Sequence, residues 1–291
     1  MLGPLIDQRH VVPRLREQST DHTSDRARSD DAEPGFHGRL GYTRSLVSGI
    51  LFDHIAIATR RIADAPPYLV GVLGGVPYFG MSADVFRFGQ WEFDGGGRIE
   101  VLEPRGDDGF LHRFLATRGP GVHHVTFKVP DLAETRARAK ALGYGVVGYN
   151  ASVPRWKEAF LHPKEALGIV VQIVEAPDEP PRGHWRKPPP MPADPPPPVR
   201  LLGLRLRAHS AEAARRQWAT LLGGDASVED GLHVFRWASS PLRIAVEIDA
   251  TGEDGPTGIE VVPSARPLRD LGAPVPDLGT VFMDARADGR P

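Results

Sequence analysis

The chain has 291 residues, a quarter of them charged, and a formal net charge of −2, so its charge balance does not steer it toward nucleic acid or an anionic membrane. It contains no cysteine, which excludes disulfides, thiolate metal sites and cysteine nucleophiles together, and any metal must be held by histidine, carboxylate, amide or water. No apolar run approaches the ~20 residues that span a bilayer and the N-terminus lacks a signal-peptide core, so a cytoplasmic protein with no membrane or nucleic-acid partner is expected.

Residues 1–47 are polar and carry too little apolar content to offset their ordering entropy, which predicts a disordered tail. His10, His22 and His37 lie in it without strand context and are read as solvent-exposed. Regular patterning begins at Phe52-Asp-His-Ile-Ala-Ile-Ala58. Period two there is the mark of a half-buried strand, with His54 on the face opposite Ile55 and Ile57. A helix is expected over 62–73, stopped by Gly74-Gly75. Strands are expected over 78–81 and 85–93, then the turn Asp94-Gly-Gly-Gly97 and the strand Arg98-Ile-Glu-Val-Leu102. The connector 105–118 holds Phe110-Leu-His-Arg-Phe-Leu115, patterned for one or two helical turns.

The pattern then repeats. In Gly119-Pro-Gly-Val-His-His-Val-Thr-Phe-Lys-Val129, the residues Val125, Phe127 and Val129 alternate with His124, Thr126 and Lys128. His124 falls where His54 does. A helix follows over 132–142, capped by Asp131, and then strands near 146–149 and 159–162. His162, before Pro163, reads as a structural rim residue. In the closing strand Gly168-Ile-Val-Val-Gln-Ile-Val174, Gln172 stands where Glu100 does. A single histidine on a strand's inner face is more often a hydrogen-bonded core residue than a ligand. Its duplication shifts that balance, and an internal repeat decides the fold.

Half of residues 177–198 are proline, which predicts a stiff, extended linker over 177–199. Beyond it the pattern returns in weaker form: a strand over 201–208, an amphipathic helix over 211–222 closed by Gly223-Gly224, and strands over 232–237 and 243–248. Laid on the first unit, Leu204 takes the place of His54 and Ala245 that of Glu100. A fourth, shortened unit starts near Gly258 without a histidine. The region 200–285 therefore reads as a degenerate copy that has lost its ligands.

Asp53-His-Ile-Ala-Ile57, Arg98-Ile-Glu-Val-Leu-Glu-Pro104, Gly119-Pro-Gly-Val-His-His-Val125, and Phe160-Leu-His-Pro-Lys164 through Gly168-Ile-Val-Val-Gln172 together resemble the vicinal oxygen chelate superfamily (glyoxalase, bleomycin resistance, dioxygenase). Within it the look is nearest to the methylmalonyl-CoA epimerase and glyoxalase I groups. The resemblance covers about residues 50–176 well and 200–285 faintly. It implies an α+β fold in which paired βαβββ modules form a cup-shaped, curled mixed sheet, over 48–176. It also implies one metal ligand from the first and last strand of each module, which carried over gives His54, Glu100, His124 and Gln172. Two imidazoles and one carboxylate with open positions independently suit a divalent first-row metal, with Zn, Co, Ni, Mn and Fe all left open.

The resemblance implies a lyase or isomerase of the epimerase/glyoxalase type, acting on a small carbonyl or acyl-thioester substrate through a metal-stabilised enolate. Gln172 stands where the family usually has glutamate, and the epimerases' second base has no evident counterpart in Val85-Phe-Arg-Phe-Gly-Gln90. Two-base epimerisation needs two proton-exchanging groups, and the sequence offers Glu100 alone as the catalytic carboxylate. Two alternatives remain: an Fe(II) ring-cleaving type of dioxygenase using His54, His124 and Glu100 as a facial triad, and a protein that binds or sequesters a small ligand without turnover. A homodimer is left open.

Overall fold

The computed structural model describes residues 49–177, 187–263, 268 and 271–285. The expected tail, 1–47, and linker residues 178–186 lie outside the described residues. The fold is mixed α+β, built on an eight-stranded and a seven-stranded sheet, neither closed.

In the first sheet the elements are β1 (Leu51–Ala58), α1 (Pro66–Leu69), β2 (Val76–Ser82), β3 (Phe86–Glu92), β4 (Arg98–Pro104), α2 (Phe110–Arg118), β5 (Gly121–Lys128), α3 (Leu132–Ala141), β6 (Val146–Val153), β7 (Trp156–Leu161) and β8 (Val170–Glu175). The strand order β2-β3-β4-β1-β5-β8-β7-β6 shows the repeat directly. Each module has its last strand parallel to its first, β4 beside β1 and β8 beside β5, and the modules meet along the antiparallel β1–β5 pair. The expected helix over 62–73 is shorter. A 3-10 turn at Ile62–Asp64 precedes α1, because Pro66 and Pro67 supply no amide hydrogen to a continuous helix and are tolerated only in its first turn. The connector helix α2 is longer than expected. Asp131 caps α3 as expected, its side chain accepting from the Glu134 amide at 2.8 Å.

The alternation read in β1 and β5 sorts the two faces. Ile55, Ile57, Val125 and Phe127 join Leu69, Leu73, Leu132 and Ala139 of the helical segments in the main core. The concave face holds a smaller cluster, in which Ala56, Ala58 and Leu102 meet Leu111 and Leu115 of α2, flanked by Phe86, Phe88, Phe110 and Phe114. Thus α2 roofs part of the cup.

Residues 187–198 contain no helix or strand and lead into the second sheet. Its elements are β9 (Arg200–Ala208), α4 (Ala211–Arg215) running into a π-helical stretch Arg216–Leu221, β10 (Asp225–Glu229), β11 (Leu232–Arg236), β12 (Arg243–Ile248), β13 (Gly255–Val262), β14 (Pro274–Val275) and β15 (Thr280–Asp284), in the order β10-β11-β12-β9-β13-β15-β14. The strands β10, β14 and β15 are additional to those read from sequence. One continuous core joins the two sheets. Trp237 packs on Phe52 and Phe127 (ring centroids 5.7 and 4.8 Å), Trp218 lies 5.9 Å from Phe127, and Ser240 Oγ donates to the Phe52 carbonyl at 2.7 Å. No helix among the described residues is long and apolar enough to cross a membrane.

Candidate metal centre

Register places the candidate ligands in two neighbouring rows on the concave face. One row runs Gln90, Glu100, Ala56, His124 from β3 to β5, and the next runs His54, Thr126, Gln172, Phe160 from β1 to β7. The small side chains Ala56 and Thr126 stand between long ones, so the longer side chains can converge above them. His54, Glu100 and His124 present ligand atoms within 4.8 Å of one another, and all three residues are buried. His54 Nε2 lies 3.6 Å from Glu100 Oε2, and His124 Nε2 lies 3.9 Å from Glu100 Oε1. Gln172 reaches the group through Thr126, whose hydroxyl donates to Gln172 Oε1 at 2.7 Å and lies 3.0 Å from His54 Nε2.

Hydrogen positions follow from this network. Gln172 Nε2 donates to Glu158 Oε2 at 2.8 Å, so Oε1 is the atom that accepts from Thr126, and Thr126 in turn accepts from His54 Nε2. On the other side of the ring, His54 Nδ1 donates to Asp53 Oδ2 at 2.8 Å. Both His54 nitrogens carry hydrogen. Burial opposes that charge, but the Glu100 charge and the Asp53 hydrogen bond outweigh it and raise His54 to about 9. Asp53 is itself held by Arg98 at 2.6 Å and Lys128 at 3.1 Å. Burial works against ionisation of Asp53, yet these cations and His54 hold its carboxyl far below the usual range. Burial likewise disfavours the Glu100 charge, and His54 and His124 overcome it, so Glu100 lies below its ordinary value.

The second histidine differs. Burial, with His123 beside it, pushes His124 well below its ordinary value. Its buried Nε2 makes no hydrogen bond among the described residues and faces Glu100. A buried imidazole nitrogen left without a hydrogen-bond partner, beside a carboxylate and a second imidazole, is what a cation site leaves when described without its cation. The donor set fits a divalent first-row metal.

Four further residues belong to the site and were not singled out in the sequence. Gln90 Nε2 donates to Glu100 Oε2 at 2.9 Å, from the residue directly across the β3–β4 ladder. Glu158, buried on β7, accepts from Gln172 and from Trp156 Nε1 at 3.1 Å, and burial together with the Glu100 charge raises its carboxyl above the usual range. Asp53 and His123 flank the two histidines. Period two carries the signal for Glu158: it lies on the same face as Phe160, which pairs with Gln172, once the strand is begun at Trp156 rather than at 159. His162 Nδ1 accepts from the Lys164 amide at 3.2 Å, a local contact at the strand end.

Residues 53–160 match the family model described as the glyoxalase/bleomycin resistance protein/dioxygenase superfamily. A Bacillus subtilis protein, the uncharacterized YqjC, is 31% identical over 129 residues, covering 42% of this chain and 90% of that one. The chain belongs to the glyoxalase/bleomycin resistance protein/dioxygenase superfamily. Mouse mitochondrial methylmalonyl-CoA epimerase is 25% identical over 134 residues, 43% of this chain and 72% of that protein. A variant of 4-hydroxymandelate synthase from Streptomyces coelicolor shares the fold over 72% of this chain and 70% of its own, with a TM-score of 0.52 at 15% identity.

The second sheet repeats the strand order and bulges of the first, with other residues at the places of the candidate donors. In β1–β5 pairing, Asp53 is an extra residue on β1 and His123 an extra residue on β5; in β9–β13 pairing, Leu202 and Thr257 are extra in the corresponding places. Matching these bulges puts Gly203, not Leu204, at the place of His54; Leu204 falls at that of Ile55, pairing with Ile259 as Ile55 pairs with Val125. Ala245 stands at the place of Glu100, Gly258 at that of His124 and Met283 at that of Gln172. Arg205 Nη2 and Arg243 Nε instead donate to the fully buried Glu260 at 2.7 and 2.8 Å. A side chain at Gly203 would also be excluded, since a Cβ there falls 1.9 Å from the Arg243 carbonyl oxygen at φ 153°.

Proposed function

We propose that this chain is a metal-dependent enzyme of the epimerase/glyoxalase type that moves the proton beside a carbonyl or acyl-thioester group. The observation carrying this reading is Glu158, a second buried carboxylate in the site, held by Gln172 on the opposite side of the group from Gln90 and Glu100. His54, Glu100, His124 and the amide oxygen of Gln172 would hold the cation. When bound, it supplies Lewis acidity toward paired substrate oxygens and stabilises enolate charge.

The chain's own residues handle the proton. The cations beside Glu100 hold its carboxyl below the ordinary value, while burial raises that of Glu158, so their environments push the two groups apart in the direction an acid–base pair requires. One accepts the hydrogen from carbon while the other can return one, which supplies the second group that the sequence by itself lacked. Gln90 and Gln172 each fix one of these carboxylates by an amide donor. Leu111, Leu115, Phe110 and Phe114 of α2 shield the Ala56–Ala58 side of the cup and limit water there. The division into a metal-binding region at 48–176 and a region at 200–285 without ligands belongs to this reading, as does a small-molecule, acyl-thioester class of substrate.

The test is solvent-deuterium uptake at the α-carbon of acyl thioesters by Co-loaded protein. Glu158→Gln should retain metal yet lose on the order of 10²–10⁴-fold in exchange. Wild-type exchange in Glu158→Gln rejects the role of Glu158. The triad of two histidines and one carboxylate also supports the second reading, Fe(II) oxygen chemistry. Oxygen consumption by Fe-loaded protein, with no deuterium uptake, would favour that reading instead.

A further inference from the structure

We propose that His123 is a positioning residue that sets the tautomer of His124, through a β-bulge device the protein uses once for each histidine of the site. The proposal rests on the reading of His124 as a ligand only for its functional consequence; the tautomer itself can be measured without metal.

The two bulges are the starting point. On β1, Phe52 pairs with Phe127 and His54 with Thr126, so Asp53 is extra; on β5, His124 pairs with Ala56 and Val122 with Ile57, so His123 is extra. In a regular strand, neighbours point to opposite faces. An extra residue breaks that rule locally and lets two successive side chains reach the same side. The result is the same twice: the residue just before each histidine touches that histidine's Nδ1. Asp53 Oδ2 lies 2.8 Å from His54 Nδ1, and His123 Nδ1 lies 2.9 Å from His124 Nδ1.

The chemistry of the two partners differs. A carboxylate only accepts, so Asp53 draws hydrogen onto His54 Nδ1. Two Nδ1 atoms at 2.9 Å share one hydrogen, and the question is which ring carries it. His124 Nε2 makes no hydrogen bond among the described residues: Glu100 Oε1 is 3.9 Å away, and the Gln172 oxygen that faces this ring already accepts from Thr126, so a hydrogen on Nε2 would be buried without a well-placed acceptor. Hydrogen therefore sits on His124 Nδ1 and is accepted by His123 Nδ1, leaving the Nε2 lone pair of His124 facing Glu100. The ring of His123 is fixed for this by α2, with Phe114 at 4.8 Å and Phe110 at 5.5 Å between centroids, and it stands 84° from the plane of His124. The inter-module helix thereby reaches the site through one imidazole.

The experiment is 15N NMR of the histidine rings in metal-free protein, paired with Co(II) titration, on wild type, His123→Leu and His123→Asn. Asparagine keeps an acceptor oxygen near the place of Nδ1; leucine removes it. Thermal melts establish that each variant is folded. The expected result is the Nδ1–H tautomer of His124 in wild type, its loss in His123→Leu with about 10–100-fold weaker Co(II) binding, and recovery of both in His123→Asn. An Nε2–H tautomer in wild type, or an unchanged tautomer in folded His123→Leu, overturns the proposal. Wild-type protein that binds no Co(II) overturns the metal reading instead and leaves the tautomer comparison as the deciding result for His123.

Discussion

At the residue scale, the placing of His54 between Asp53 and Glu100 has the widest consequences. The pKa of His54 is raised to about 9 from an ordinary value near 6.5, so its proton stabilises the metal-free fold fully below the lower value and this contribution fades as pH rises through the higher one. A metal must displace that proton from Nε2. Metal affinity should therefore rise about tenfold per pH unit between roughly pH 6.5 and 8.5 and flatten above about 9; calorimetry in buffers of different ionisation enthalpy should find close to one proton released. A pH-independent affinity over that range would mean His54 is neutral in the metal-free protein. Gln172 supports a second prediction. Its amide donates to Glu158, so Gln172→Glu would place two carboxylates at hydrogen-bond distance, where both cannot ionise. The variant should keep its metal, while the alkaline limb of its pH–rate profile moves to higher pH and turnover falls. A wild-type profile would show that the two side chains do not share a proton.

At the scale of elements, apolar patterning was enough to place β1, β4, β5 and β8 and to set His54 and His124 opposite the core residues of their strands, while Glu100 and Gln172 joined them through the internal repeat and the family resemblance. What it could not reveal was the bulges. An extra residue leaves hydrophobic alternation intact on both sides and is visible only through a partner strand, so nothing in the sequence set Asp53 and His123 apart, and Leu204 was laid on His54 in place of Gly203. Glu158 was lost because its strand was begun at 159, and α1 was overextended across Pro66-Pro67. In the second sheet the bulges recur without a histidine at the matching places, and Glu260, at the place of Thr126, bridges Arg205 and Arg243. Removing one member of such a buried cluster leaves uncompensated charge, so Glu260→Ala should destabilise by about 3–5 kcal/mol. Chemical denaturation checks this, and a loss within experimental error would show that the arginines find other partners.

For the whole molecule, the question is what the second sheet does for the first. The strands β1 and β5 show His54 and His124 to the cup, and the opposite face of the same strands is finished by the second sheet. Trp237 packs against Phe52 and Phe127 there and donates its indole hydrogen to the Leu222 carbonyl at 2.6 Å, and Gln217 Nε2 donates to the Ala166 carbonyl at 3.3 Å. Backing of this kind sets the register and stiffness of strands whose other face must hold ligand atoms in place. Trp237→Ala should cost about 3–5 kcal/mol, the range for emptying a large aromatic site in a core. Because one core spans both sheets, it should lower a single unfolding transition, with near-UV dichroism and the Co(II) absorption of the site disappearing together. If Trp237→Ala instead split the melt into two transitions, with Co(II) absorption following the unchanged one, the second sheet would be an independent domain and its contact with β1 and β5 would not support the metal centre.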